Sequence, residues 1–217
     1  DASIKIRVLE KEKKMTAYQC LEKNIDKNAD QILSSNKLDI ENAIANDLSK
    51  PLINRLKVTE QSIEGIIKSI TEIKNQPDPI GTVLENWEQP NGLKFSKISV
   101  PLGVLGVIYE SRPNVTVDAS CLALKSNNAL ILRGGSDSYH TSKQLVNIIT
   151  DSFIEANLPE NIIQMIPTTD REAVDHLLAM KDYVNVVIPR GGKSLIKKIN
   201  EKSKIPVIKH LEGLCHV

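Results

Sequence analysis

The sequence predicts an α/β fold built on a doubly wound parallel sheet, and three observations carry that prediction. After Pro101, short apolar runs alternate with stretches of helical spacing, the rhythm of right-handed βαβ crossovers. The runs are continuous rather than alternating, which suits strands buried on both faces. Two Arg-Gly-Gly turns, Arg133-Gly134-Gly135 and Arg190-Gly191-Gly192, fall where a run gives way to a helix, at the strand ends where open α/β sheets bind ligands.

The expected strands are 106–109, 129–132, 162–166, 184–188 and 206–208, with helices at about 115–126, 138–156, 170–180 and 192–202 between them. Ahead of these, residues 3–24 carry Ile4, Val8, Leu9, Met15, Tyr18 and Leu21 at helical spacing. Asp26 reads as an N-cap for 27–34, and 38–48 as a further short helix. Thr59, with Ser62 and Glu64, opens another helix whose Ile63, Ile66, Ile67 and Ile70 share a face, and Pro77-Asp78-Pro79 stops it. Residues 82–87 and 93–100 flank Pro90-Asn91-Gly92, and Asn-Gly is a strong hairpin signal. The expected organisation is a helical part at 1–80, a β-hairpin arm at 81–100 and an α/β cofactor-holding part at 101–217. A two-stranded hairpin is marginal alone, so this one is expected to lean on another domain or subunit.

Composition excludes several classes. Lys plus Arg number 28 against 27 Asp plus Glu, a formal charge of +1, and aromatics are 3%. Nucleic-acid binding calls for a basic excess or stacking platforms, and the chain has neither. Three cysteines lie far apart without a CxxC pair, which argues against a disulfide framework or a structural zinc. No apolar run reaches the roughly 20 residues that cross a bilayer, and the first residues lack the apolar core of a signal peptide. The expectation is a cytoplasmic protein with no membrane, nucleic-acid or metal partner.

Three strand ends carry unusual chemistry: residues 110–118, 133–138 and 189–194. In the last two, glycines let the backbone approach a ligand, and the following helix offers free N–H groups and a positive dipole end. The alternative is a plain tight connection. Neither turn matches the dinucleotide fingerprint or the P-loop. Asn114 follows Arg112-Pro113, where its amide could donate to an oxyanion or simply cap a helix from Val115. Cys121 reads as packing, the histidines as structural or surface, and Lys193, Lys197 and Lys198 as a solvated helix face. Cys215 beside His216 suggests a thiolate–imidazole pair, but neighbours on an extended strand point to opposite faces.

Residues 100–118, 124–136, 188–192 and 215–217, together with the Pro90-Asn91-Gly92-Leu93 hairpin and Asp78-Pro79, closely resemble the gamma-glutamyl phosphate reductase family (glutamate-5-semialdehyde dehydrogenases) of the aldehyde dehydrogenase superfamily. The resemblance implies an oxidoreductase of proline biosynthesis that uses NADPH to reduce L-glutamyl 5-phosphate, an acyl phosphate, to L-glutamate 5-semialdehyde through a cysteine thioester. It further implies that Asn114 is the oxyanion donor, and that Arg133, Gly134, Gly135 and Ser136 hold the adenosine and its phosphate. Arg190, Gly191 and Gly192 would approach the cofactor diphosphate, and Ser111 and Arg112 would meet the substrate. It also implies a homo-oligomer formed through the hairpin, with fusion to or association with a glutamate kinase as an open option.

The family's nucleophilic cysteine lies in an Arg-Pro-x-x-Cys-Asn motif downstream of the Cys-His-Val segment, and this sequence ends at Val217 before it. The expectation is therefore the N-terminal half of such an enzyme, inactive by itself, with Cys215 not the nucleophile. The competing expectation is a non-catalytic nucleotide-binding or interaction module that kept the fold.

Overall fold

The computed structural model describes residues 1–209. Five helices come first: α1 (Ala2–Ile6), α2 (Lys11–Lys27), α3 (Ala29–Ala45), α4 (Lys50–Leu56) and α5 (Glu60–Asn75). A hairpin of β1 (Val83–Glu88) and β2 (Lys94–Ile98) follows. The α/β part runs β3 (Val104–Tyr109), α6 (Asn114–Lys125), β4 (Ala129–Arg133), α7 (Tyr139–Glu155), β5 (Ile163–Met165), α8 (Glu172–Ala179), β6 (Val186–Arg190) and α9 (Lys193–Lys202), with a short 3₁₀ turn at Ser136–Ser138.

The sheet order is β5-β4-β3-β6, all parallel. The chain winds outward from β3 through β4 to β5, then returns to the other side of β3 for β6. This reversal makes the sheet doubly wound and places a topological switch point between β3 and β6. One core packs a sheet face against α2, α5, α6 and α7 through residues such as Tyr18, Ile70, Val117, Leu132 and Ile149. A second core buries Ile108 and Val187 under Leu177 and Leu178 of α8 and Ile199 of α9. The expected strand at 206–208 is reduced to a single parallel bridge between Val187 and Val207.

Local sequence explains most boundaries. Thr59 and Ser62 close a capping box at the start of α5, a device that contributes about 1 kcal/mol. Ile63, Ile66, Ile70 and Ile73 form the buried face of that helix. In the hairpin, Gly92 takes φ +86° as the turn requires.

Two helical expectations are corrected. The helix expected over 3–24 is broken into α1 and α2, because Asn127 reaches across and donates to the carbonyls of Arg7 and Leu9 at 3.2 and 3.1 Å. A tertiary hydrogen-bonding demand outweighs local propensity there. The two helices expected over 27–34 and 38–48 are one, α3, with Asn28 rather than Asp26 at its N-cap. Asn36, in the gap between the two expected helices, is buried within the continuous one. Its amide donates to Leu56 O at 2.8 Å and Thr141 Oγ1 at 3.2 Å, and it accepts Val58 N–H at 2.8 Å. Helix α4 was not anticipated; Pro51 sits in its first turn, where a missing N–H costs nothing.

Candidate functional site

The switch point opens a cleft of about 530 Å³ at the C-terminal edge of the sheet. Its walls come from the loop after β3 (Glu110, Ser111), the turn after β4 (Arg133, Gly135, Ser136, Asp137), the segment before α8 (Thr169, Arg171) and the first turns of α9 (Ser194, Leu195, Lys198). Each wall follows the C-terminal end of a strand of the sheet, so the sheet fixes the distance between loops.

The first Arg-Gly-Gly turn is held from beneath. Arg133 is 7% exposed, and its guanidinium donates to Gly134 O, to Thr169 O at 2.9 Å and to Asp170 O at 3.1 Å. Burial and the nearby Arg171 charge lower its pKa from the ordinary value. Its Nε has no partner among the described residues. Arg133 thus ties the turn after β4 to the loop before α8, while Arg171 stands exposed in the same cleft. Gly134 passes over the Tyr109 ring. Burial pushes the Tyr109 phenol up in pKa, and its hydroxyl bonds Thr116 at 2.7 Å, so it is a structural post rather than a base. Ser136 is exposed on the cleft. Ser111 takes φ +41° and its hydroxyl bonds the Asp137 carboxylate, joining the loops after β3 and β4.

The second Arg-Gly-Gly turn leads into α9, with Gly192 at the N-cap. Gly192 N–H donates to Glu110 Oε2 at 3.0 Å, a carboxylate standing in for an anion at a helix N-terminus. At Gly191 a Cβ would lie 2.7 Å from Glu110 Oε2 and 2.8 Å from Leu195 Cδ2, so a side chain there would push both side-chain ends aside. The Arg190 side chain is exposed and does not line the cleft, whereas its carbonyl accepts Glu110 N–H at 3.2 Å.

Asn114 is the first residue of α6, and Pro113 is the N-cap. Its side chain does not cap the helix; Nδ2 donates to Asp118 Oδ2 at 3.2 Å, one turn on. Asn114 and Asp118 line a second cleft of about 360 Å³ between α5 and α6, rimmed by Arg55 and Lys57. The loop 110–114 therefore separates two clefts, Ser111 facing the first and Asn114 the second. Arg112 is exposed and lines neither. Cys121, one turn beyond Asp118, is fully buried, and burial with the Asp118 charge raises its thiol pKa. Cys215 and His216 lie outside the described residues.

Sequence reasoning missed Glu110, Arg171, Asp118 and the Arg55–Lys57 rim. Glu110 and Asp118 lay within the segment singled out at 110–118, but a carboxylate's partner sits far along the chain. Lys198, read as solvated, lines the first cleft and pairs with Asp175 at 3.4 Å.

A switch-point cleft with glycine turns beneath an anion-binding helix end defines a nucleotide-cofactor protein without the usual fingerprint. The aldehyde dehydrogenase family model matches residues 13–213, and the chain belongs to that family, which implies a nicotinamide cofactor. Within it, the chain is similar to gamma-glutamyl phosphate reductases. It is 45% identical to that of Bartonella bacilliformis over all of this chain and 53% of the relative. It is 46% identical to that of Clostridium tetani over 94% of this chain and 48% of the relative. The solved reductase of Thermotoga maritima matches with a TM-score of 0.92 at 35% identity, covering 96% of this chain and 50% of that one. The one from Saccharomyces cerevisiae matches at 0.89 and 30%, covering 98% and 54%. The chain spans about half the length of the curated relatives it matches.

Proposed function

We propose that this chain forms the cofactor-holding half, and supplies the oxyanion donor, of an enzyme that reduces L-glutamyl 5-phosphate with NADPH to L-glutamate 5-semialdehyde, phosphate and NADP. The observation that carries this reading is the adjacency of the two clefts across residues 110–114, one built for an anionic cofactor and the other holding Asn114.

The first cleft fits the cofactor chemically: the α9 N-terminus already binds a carboxylate, and its N-cap, Gly192, is reached through Gly191 with no Cβ between the backbone and the Glu110 carboxylate. Gly192 and the α9 amides would hold the diphosphate. Ser136, with Arg171 across the cleft, would meet the adenosine ribose and its 2′-phosphate, which is the support for NADPH over NADH. Arg133 acts beneath them as the anchor of both loops. When bound, the nicotinamide supplies the hydride that takes the acyl carbon to the aldehyde level.

Asn114 has the reactive role. A positioned amide donor stabilises charge that develops on a carbonyl oxygen, and removing one such donor costs on the order of a hundredfold or more in rate. The α6 N-terminus adds its positive dipole end at the same place. The thioester-forming cysteine belongs to the reading by resemblance, and none of the described cysteines suits it. Cys121 is buried, and burial raises the pKa of Cys20.

The hairpin supports a second copy of the chain as partner, since every residue of β1 and β2 is exposed. The test of the reaction is phosphate-dependent reduction of NADP by glutamate 5-semialdehyde, the reverse direction, in the complete protein. Turnover that falls at least a hundredfold in Asn114→Ala supports the reading; turnover with NADP but no dependence on phosphate overturns it.

A further inference from the structure

The cleft between α5 and α6 contains an unbalanced set of charges. Asp118 projects a half-buried carboxylate into it, fixed by Ser69 Oγ at 2.8 Å and Asn114 Nδ2 at 3.2 Å. Arg55, at the end of α4, and Lys57 rim the same cleft. Among the described residues Asp118 has no cationic partner, and Arg55 and Lys57 have no acidic one. Elsewhere on the helical surface, opposite charges find each other at i,i+4, as in Lys37–Glu41, Lys68–Glu72 and Lys197–Glu201. Opposite charges that share a cleft without pairing complement a ligand carrying both signs.

The space is also provided for. Gly65 lies within α5 on the wall of this cleft. Glycine is the poorest helix former after proline, and packing does not require it here, since a Cβ would meet nothing within 4 Å. The volume of about 360 Å³ sits at the small end of the ligand-pocket range.

Resting on the reductase reading above, we propose that this cleft receives the amino-acid end of the substrate, with Asp118 taking the α-ammonium and Arg55 and Lys57 taking the α-carboxylate. Asp118 stands one helical turn from Asn114, so the ammonium is fixed at a distance of the same order as the α-carbon and two methylenes that separate it from the reacting carbonyl. Asn114 donates one N–H to Asp118 and has a second for the carbonyl oxygen, so one amide links the ammonium site to the reacting carbonyl.

The probe is L-glutamine, a stable zwitterion with a neutral γ-carbonyl, titrated calorimetrically into the complete protein. Its comparators are 4-carbamoylbutanoate, which lacks the ammonium, and 4-aminobutanamide, which lacks the α-carboxylate. L-Glutamine is expected to bind at least about tenfold more tightly than either, the scale of a charge-assisted hydrogen bond. Asp118→Asn should erase the preference for the ammonium alone, and Arg55→Met with Lys57→Met the preference for the carboxylate alone. Gly65→Leu, which keeps helix propensity, should block all three. No binding of L-glutamine, or preferences unchanged in the variants, overturns the proposal. Kinetics of the complete protein separate it from the reading beneath it. An unchanged KM for glutamyl phosphate in Asp118→Asn sinks the charge assignment while the reductase stands. Selective L-glutamine binding without any reduction of glutamyl phosphate upholds the cleft and sinks the reductase.

Discussion

Glu110 Oε2 accepts the backbone N–H of Gly192 at 3.0 Å across the switch point, 82 residues apart in sequence. The helix end expected to grip a phosphate thus already holds an anion, supplied by the loop after β3. A carboxylate at an exposed helix N-terminus contributes about 0.3–1 kcal/mol, and on the proposed reading a cofactor diphosphate would displace it. Glu110→Gln removes the competing charge, so NADPH affinity should rise roughly two- to fivefold, the equivalent of that energy. Titration of NADPH fluorescence measures it. Equal affinities would show that Glu110 and the cofactor do not share the amide.

Gly103 takes φ +121°, and a Cβ there would lie 2.3 Å from Asn185 Oδ1. That oxygen accepts Val104 N–H at 2.8 Å and ties the start of β3 to the approach to β6. Gly103→Ala combines a backbone conformation that L-residues avoid with loss of this contact, and should cost roughly 2–3 kcal/mol. Urea denaturation reads it as a lowered midpoint with an unchanged slope.

How much of this was legible follows from the range of each interaction. The hairpin and the strand–helix rhythm after Pro101 depend on residues a few positions apart, and the sequence displays them directly. The capping box at Thr59 is equally local. Asn36 and Asn127 were illegible because their meaning lies in partners at Thr141 and Arg7, more than a hundred residues away. The same holds for the site. The two Arg-Gly-Gly turns advertise a backbone requirement, but nothing local says that Arg133 spends its guanidinium on the loop at Thr169 and Asp170. Nor does it say that Arg171, outside the motif, lines the same cleft.

Acid stability should depend on Asp78. Lys14 is 3% exposed, with Nζ 2.6 Å from Asp78 Oδ2, and it also donates to Asn127 Oδ1 at 2.8 Å. Burial alone would raise the Asp78 pKa, but the Lys14 hydrogen bond, the Ile80 N–H and the charges of Lys14 and Lys125 together hold it below the usual value. A carboxyl whose folded pKa is depressed contributes stability that is complete above its unfolded pKa, about 3.9. That contribution is lost as pH falls through the folded value. The wild type should therefore lose melting temperature below about pH 4, with a shallower loss in Asp78→Asn. Lys14→Met strands the carboxylate and should destabilise by about 2–4 kcal/mol at neutral pH. Parallel pH profiles for all three proteins would refute the assignment.

Cys121 should be chemically silent in the folded chain. It is fully buried, and burial, followed by the charges of Asp118 and Glu22, raises its thiol pKa. The thiolate is the reactive form, so iodoacetamide at neutral pH should leave Cys121 unmodified until denaturant unfolds the protein, as peptide mass spectrometry would show. Modification of Cys121 under native conditions would mean that α6 opens locally.

Trp87 and Phe95 face each other across the hairpin, their rings stacked at 5.3 Å with 9° between planes. Both are exposed, as are Val83, Leu84, Leu93 and Ile98. A stacked pair contributes about 0.5–1.5 kcal/mol, too little to justify so much apolar surface on an isolated ribbon, and such patches mark interaction sites. If a second copy covers the hairpin, the burial can be followed directly, because Trp87 is the single tryptophan in the sequence. Its emission should shift to the blue as concentration rises, in step with an increase in mass measured by light scattering. Trp87→Ser with Phe95→Ser should yield a monomer whose far-ultraviolet dichroism is nearly unchanged, because the hairpin lies outside both cores. A tryptophan that stays solvent-exposed at every concentration while the mass remains that of one chain would rule out the hairpin as the contact between copies.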